Sequence, residues 1–359
     1  MNIVLHFKKL DWLLTFSSLA LALIGLFLIY QLSYPDFSDF QKQAIFIGVG
    51  FLLMIALSFF DPRWLKENSS VILGLYILCL IMLVLLFFFA PEIRGTKSWF
   101  KIGSLSFDPI EPTKIVLIIL LSKYFSRRHL ELNQGKHIIL SGIYTFLPAA
   151  LVFLQPNFGS AILLLVIWFG ILFISGINLR NFVLITLILA LILGVGWFYF
   201  LEDYQKDRIT SFLFPENDVK GLNWNQTQAK IAIGSGGLFG RGSEITQAKY
   251  GFLPEAKTDF IFAAFAERFG FVGILVLMAL FIILFFRILK IALDADSNFA
   301  RLFASGFLIL IFVQFFINVA VNLGLLPVIG ISLPFVSYGG SNLVFNFIAI
   351  GILQSFKTH

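Results

Sequence analysis

Runs of about twenty apolar residues, divided by short polar loops, recur along nearly the whole chain: 12 to 32, 41 to 60, 71 to 90, 113 to 125, 138 to 154, 158 to 175, 182 to 201, 260 to 286, 302 to 323 and 335 to 354. A helix rises about 1.5 Å per residue, so about 20 such residues match the ~30 Å hydrocarbon layer of a bilayer. Lipid gives the backbone no hydrogen-bond partner, so each run must satisfy itself as a helix. The expectation is an all-α polytopic membrane protein with about ten transmembrane helices. Composition agrees, since 59% of the residues are hydrophobic and 13% charged, about half the charge of an ordinary soluble domain. Lys8 and Lys9 precede the first run, but it is too long for a signal-peptide core and lacks a small-residue cleavage pattern, so it is expected to stay as an anchor.

Alternation of ten spans puts Lys8, Lys9, Arg63, Lys66, Arg127, Arg128, Lys136, Arg180, Arg287, Lys290, Arg301 and Lys357 on one side, which the positive-inside rule makes cytoplasmic. Both termini then lie in the cytoplasm. The opposite side carries Asp36 and Asp39, the segment 91 to 112, and a long extracytoplasmic loop of about 202–258 between helices seven and eight. No soluble domain is large enough to fold alone, so residues 1–359 read as a single transmembrane domain. The net charge of +6 fits topology and contact with anionic membrane lipids, and no aromatic-interleaved basic patch argues for nucleic acid. The lone cysteine, Cys79, excludes an internal disulfide and reads as packing.

Asp259 closes the polar run Phe252-Leu-Pro-Glu-Ala-Lys-Thr-Asp259 at the mouth of the eighth span. An ionisable group there is expensive unless partners or function retain it. It can cap the helix, as can Thr258, or act as a general base on a sugar hydroxyl attacking an activated anomeric centre, with nearby cations steadying a diphosphate. All four histidines fall on the cytoplasmic side, and nucleophile-elbow, Walker and His-Glu-x-x-His motifs are missing. Chemistry on the outer side is therefore left to carboxylates, lysines and arginines: Asp259, Arg94, Lys97, Glu111, Lys114, Arg241, Glu255, Lys257, Glu267 and Arg268. Glu111 and Lys114 share one helical face and read as an ion pair or as part of a polar cavity. Glu267 and Arg268 read as a pair near the membrane surface. Segment 98 to 107 reads as interfacial. Gly234, Gly236, Gly237, Gly240 and Gly242, around Arg241, permit sharp turning or close approach. Gln314, Asn318 and Asn322 repeat every four residues, for interhelical hydrogen bonds or a polar cavity, and Asn342 with Asn346 reads likewise.

Five ordered motifs then carry a resemblance: Arg94-Gly-Thr-Lys-Ser-Trp99 with Ile102-Gly103, Glu111 and Lys114; Gln155-Pro-Asn-Phe-Gly-Ser160; Ala232-Ile-Gly-Ser-Gly-Gly-Leu-Phe-Gly-Arg-Gly242; Phe252 to Phe262; and Gly324 to Ser341, which includes Ser337. The chain resembles the shape, elongation, division and sporulation (SEDS) family, its elongation branch more than its division branch. The resemblance implies a peptidoglycan glycosyltransferase that polymerises lipid II at the outer face of the bacterial cytoplasmic membrane, releasing undecaprenyl diphosphate with inversion. It implies Asp259 as the base activating the acceptor's 4-hydroxyl, with Arg94, Lys97, Glu111, Lys114, Arg241, Glu255, Lys257 and Ser337 toward substrate. It further implies a divalent cation, magnesium or manganese, with ligands that cannot be assigned, and a class B penicillin-binding protein, a transpeptidase, as partner. A lipid II flippase is the alternative. Three positions depart from the family pattern: Asp108 for a common glutamine, Asn157 for aspartate and Lys257 for histidine. Losing one anion and gaining the Lys257 cation near Asp259 is expected either to favour the carboxylate or a bound diphosphate, or equally to weaken a local cation site.

Overall fold

In this computed structural model, the structure describes residues 3–91, 98–103, 105–127, 135–199, 203–214, 223–242, 248 and 251–358. In chain order the elements are α1 (Ile3–Lys9), α2 (Trp12–Leu32), α3 (Ser38–Ser58), α4 (Arg63–Glu67), α5 (Ser69–Phe89), β1 (Phe100–Ile102), β2 (Leu105–Phe107), α6 (Ile110–Ser126), α7 (Gly135–Phe153), α8 (Phe158–Ile174), α9 (Leu179–Tyr199), α10 (Asp203–Leu213), α11 (Trp224–Ser235), α12 (Ile261–Leu293), α13 (Asn298–Asn322) and α14 (Gly340–Thr358). Each expected apolar run coincides with one helix. Six of them, α2, α3, α5, α7, α12 and α13, are long and apolar enough to cross a membrane by length and composition. Helix α6 shows why the remainder are weaker signals. It carries Glu111, Lys114 and Lys123 yet buries most of its length inside the bundle, so it does not need a lipid-compatible surface.

Helix α13 is the hub, packing against α6, α8, α11, α12 and α14. Peripheral α5 instead leaves Leu73, Ile77, Ile81 and Phe88 exposed, as a lipid-facing helix does. The α3–α14 pair is the other tight seam, where a side chain at Gly351 would collide with the backbone of Met54. Close helix approach through small residues is how membrane helices gain packing without a hydrophobic driving force.

Segment 98 to 107 contains an antiparallel hairpin, pairing Phe100 with Phe107 and Lys101 with Ser106. The expected long loop contains helices α10 and α11; α11 packs on α12 and α13 and buries Gln226, whose Nε2 donates to the carbonyls of Val321 (2.8 Å) and Leu326 (2.7 Å). At the bundle end away from Asp259, Arg63, Lys66, Arg127, Arg287, Lys290 and Lys357 converge on one cavity of about 610 Å³. Asp11 is buried there, accepting from Arg287 Nε at 3.0 Å and Lys357 Nζ at 3.2 Å. The basic loops grouped by sequence thus meet at one end of the molecule.

Candidate active site

The turn 251–260 delivers Asp259 to the start of α12. Asp259 does not cap that helix: the N-cap residue is Phe260, without a side-chain cap bond. The first-turn N–H of Ala263 instead donates to Asn322 Oδ1 on α13 at 3.0 Å. The same two asparagines clamp the backbone of the acidic residue, Asn318 Nδ2 and Asn322 Nδ2 each donating to the Asp259 carbonyl at 2.9 Å. The four-residue spacing read in the sequence therefore has a definite use for two of its three members. A helix amino terminus carries partial positive charge, which suits a carboxylate beside it.

A second set of contacts holds the turn from the segment before α14. Ser337 Oγ donates to the Thr258 carbonyl at 2.7 Å and accepts the N–H of Leu333 at 2.8 Å, while the Tyr338 N–H donates to the Lys257 carbonyl at 2.8 Å. Ser337 is buried, so the structure places it behind the turn as a brace. Glu255 sits at φ +59°, a conformation costly for a side-chain-bearing residue. Its Oε2 accepts Thr258 Oγ1 at 3.0 Å, tying the turn internally. Lys257 is itself ion-paired. Its ammonium pairs at 2.6 Å with Asp39 of α3 and lines a separate cavity of about 400 Å³ on the wall with Tyr338.

Asp259 stands on the wall common to two cavities, of about 380 and about 440 Å³, which share Trp99, Asn157, Thr258 and Gly330. The first is lined further by Lys101, Asp108, Glu111, Lys114 and Gln314. Glu111 Oε2 and Lys114 Nζ lie 2.7 Å apart, nearly buried, and Asn342 Nδ2 donates to the same oxygen at 3.1 Å. The ion-pair and cavity readings of these residues are thus both realised. Deleting one partner strands the other charge, a loss of about 3–5 kcal/mol. Asp108 is anchored by its N–H to Ser341 Oγ and by Ile110 N–H to its Oδ1, each 2.9 Å. Burial, with Glu111 close by, pushes its carboxyl up to about 7. The second cavity adds Arg208, Asn225, Pro254, Glu255 and Phe158.

Arg94 and Lys97 lie outside the described residues. Arg241 is exposed on the glycine-rich turn, its Nε donating to the Ser235 carbonyl at 3.4 Å, and it lines neither cavity beside Asp259. Gly236 and Gly240 lie against the α12 backbone at Ala266 and Arg268, where an added side chain would collide. At Gly270, φ +64° interrupts the helix, and the orphaned N–H groups of Phe271 and Val272 donate to the carbonyls of Gly237 (2.9 Å) and Leu238 (3.1 Å). Glu267, buried inside α12, accepts the Ala248 N–H at 3.3 Å. Sequence reasoning missed Asp39 as the partner of Lys257, and Trp99 and Asn157 as walls shared by both cavities. Residues so far apart in the chain carry no local signal of meeting.

A family described as cell cycle protein, that of FtsW, RodA and SpoVE, matches residues 11–359. The peptidoglycan glycosyltransferase MrdB of Escherichia coli K12 is 36% identical over 342 residues, covering 95% of this chain and 91% of the relative. A chain of a peptidoglycan synthase complex, solved in work on the structural coordination of polymerization and crosslinking, superposes with TM-score 0.82 at 29% identity, covering 97% of both chains. The crystal structure of the rod shape determining protein RodA of Thermus thermophilus gives 0.71 at 29% identity over 96% of both.

Proposed function

This chain belongs to the FtsW, RodA and SpoVE family of cell cycle proteins, the SEDS family, and from that premise we propose how a peptidoglycan glycosyltransferase works through Asp259. The protein is a multi-pass membrane enzyme of the rod-shape-determining, RodA and MrdB kind. The observation that carries the mechanism is the placement of one carboxylate between two cavities. A polymerase needs that arrangement, because a donor and an acceptor must meet at one acidic group. Lys114 and Lys101 make the first cavity suited to a diphosphate. The second then receives the acceptor glycan.

Asp259 accepts the proton of the acceptor's 4-hydroxyl as that oxygen bonds to the anomeric carbon of the lipid-linked donor. The anomeric carbon–oxygen bond to phosphate breaks with inversion, and undecaprenyl diphosphate leaves with the bonding electrons. Lipid II is the substrate that combines these groups. The active site opens on the outer face of the bacterial cytoplasmic membrane and both termini lie inside, the arrangement supported by the gathering of basic residues at the opposite end of the bundle.

Among the described residues no group of three or more His, Cys, Asp or Glu side chains is placed to hold a metal ion. Glu111 is already engaged by Lys114 and Asn342. A resident metal cage does not fit this donor set, and no step is assigned to one. Magnesium or manganese is expected to arrive on the substrate diphosphate, with waters completing its shell. A class B penicillin-binding protein is the expected partner. Support comes from the likeness to a chain of a synthase complex in which polymerization and crosslinking are coordinated.

The test is polymerisation of purified lipid II by the purified chain, alone and with its cognate transpeptidase, for wild type and Asp259→Asn. Polymer from wild type and none from the variant supports the reading. Transfer of lipid II across vesicles without polymer favours a flippase instead.

A further inference from the structure

We propose that Gln314 is a substrate-reading residue whose amide takes a hydroxyl or acetamido group of the lipid-linked sugar. The inference rests on the glycosyltransferase reading and names the part of the substrate that the inner end of the first cavity recognises. Gln314 is 2% exposed, and its Oε1 is buried with no hydrogen-bond partner. Five side-chain atoms among the described residues share that condition, and Gln314 alone of their owners lines the cavity with Asp259, Glu111 and Lys114.

The contrast lies within one face of α13. Asn318 Nδ2 is spent on the carbonyls of Asp259 and Ile331 (2.8 Å), and Asn322 Nδ2 on those of Asp259 and Asn318 (2.8 Å). Gln314, the third amide of the same stripe, is tied to nothing comparable. A buried amide without partners is penalised, and lipid cannot relieve it. At 1.5 Å per residue, Gln314 lies about 6 Å along the axis from Asn318, on the side away from the Asp259 carbonyl. It therefore addresses a ligand group about one helical turn deeper than the reacting carboxyl.

Chemistry narrows the ligand. An amide offers an acceptor and donors together, so a hydroxyl or an acetamido group, which can do both, satisfies it. A phosphate oxygen only accepts and would leave Oε1 unpaired. The diphosphate is left to Lys101 and Lys114, which have donors only.

The test uses the full-length chain, with its transpeptidase where activity requires it. Initial polymerisation rates are measured against lipid II concentration for wild type, Gln314→Met and Gln314→Leu, beside thermal unfolding of each. Because the free protein loses no hydrogen bond, both variants should unfold at or above the wild-type temperature while KM for lipid II rises about tenfold, the effect of ~1.4 kcal/mol of binding. An unmoved KM overturns the inference, as does a lowered unfolding temperature or failure to fold in either variant, since these would expose a structural role. Wild type that makes no polymer removes the enzyme reading and this inference with it. Wild-type polymer beside an unmoved KM in Gln314→Met removes this inference alone.

Discussion

The backbone of Asp259 is held from two sides. Asn318 and Asn322 take its carbonyl, Asn322 also caps α12, and Ser337 fixes the preceding peptide. The polar type and four-residue spacing of the α13 amides were legible in the sequence, as was the position of Asp259 at a helix mouth. Their division of labour was not, because it depends on a turn reaching α13 from 59 and 63 residues away. Asp108 gives a residue-scale prediction. Its carboxyl is pushed up to about 7 in the fold, by burial and then Glu111, against ~3.9 for an unperturbed aspartate. Between those values the folded state binds more protons than the unfolded chain, so stability falls as pH rises through this window. Asp108→Asn should remove that slope, matching wild type near pH 4 and unfolding at a higher temperature near pH 8. Parallel unfolding curves across the range would show that Asp108 does not titrate as described.

Among elements, the turn bearing Asp259 is a junction between the start of α3, the start of α12 and the segment leading into α14. The Lys257–Asp39 pair is its only charged tie to α3 among the described residues. Both side chains are about a third exposed, so the pair contributes little stability, about 0.2–1 kcal/mol. Its expected effect is on geometry. Lys257→Asp and Asp39→Lys should each lower kcat several-fold with little change in unfolding temperature, and the double exchange should recover most of the rate. Rates that multiply without recovery would show that the two residues act separately. The helices themselves were readable from apolar run length, since all ten runs became helices. Helices α10 and α11 were not readable that way: α11 has a mixed polar sequence and becomes helical against α12 and α13, a tertiary effect that overrides weak local patterning. The glycine cluster illustrates the same limit. Its freedom to turn was visible, but its object, the broken backbone of α12 at Gly270, was not.

At the scale of the molecule, charge is segregated. A basic cavity closes around Asp11 at one end, and the two cavities meeting at Asp259 open at the other. The absence of a three-ligand cage among the described residues makes a further expectation. Chelation with EDTA should suppress polymerisation while leaving the unfolding temperature of the substrate-free protein unchanged; a fall in that temperature would reveal a resident structural ion. Family membership settled the reaction class, and the fold brings Asp259, Glu111 and Lys114 to one cavity, a meeting that local sequence could only suggest. The most direct measurement is glycan polymerisation from purified lipid II by folded wild type and Asp259→Asn, with the transpeptidase present in both. Loss of polymer in the variant, with its unfolding temperature and transpeptidase binding intact, is the predicted result; polymer made at the wild-type rate would contradict Asp259 as the base.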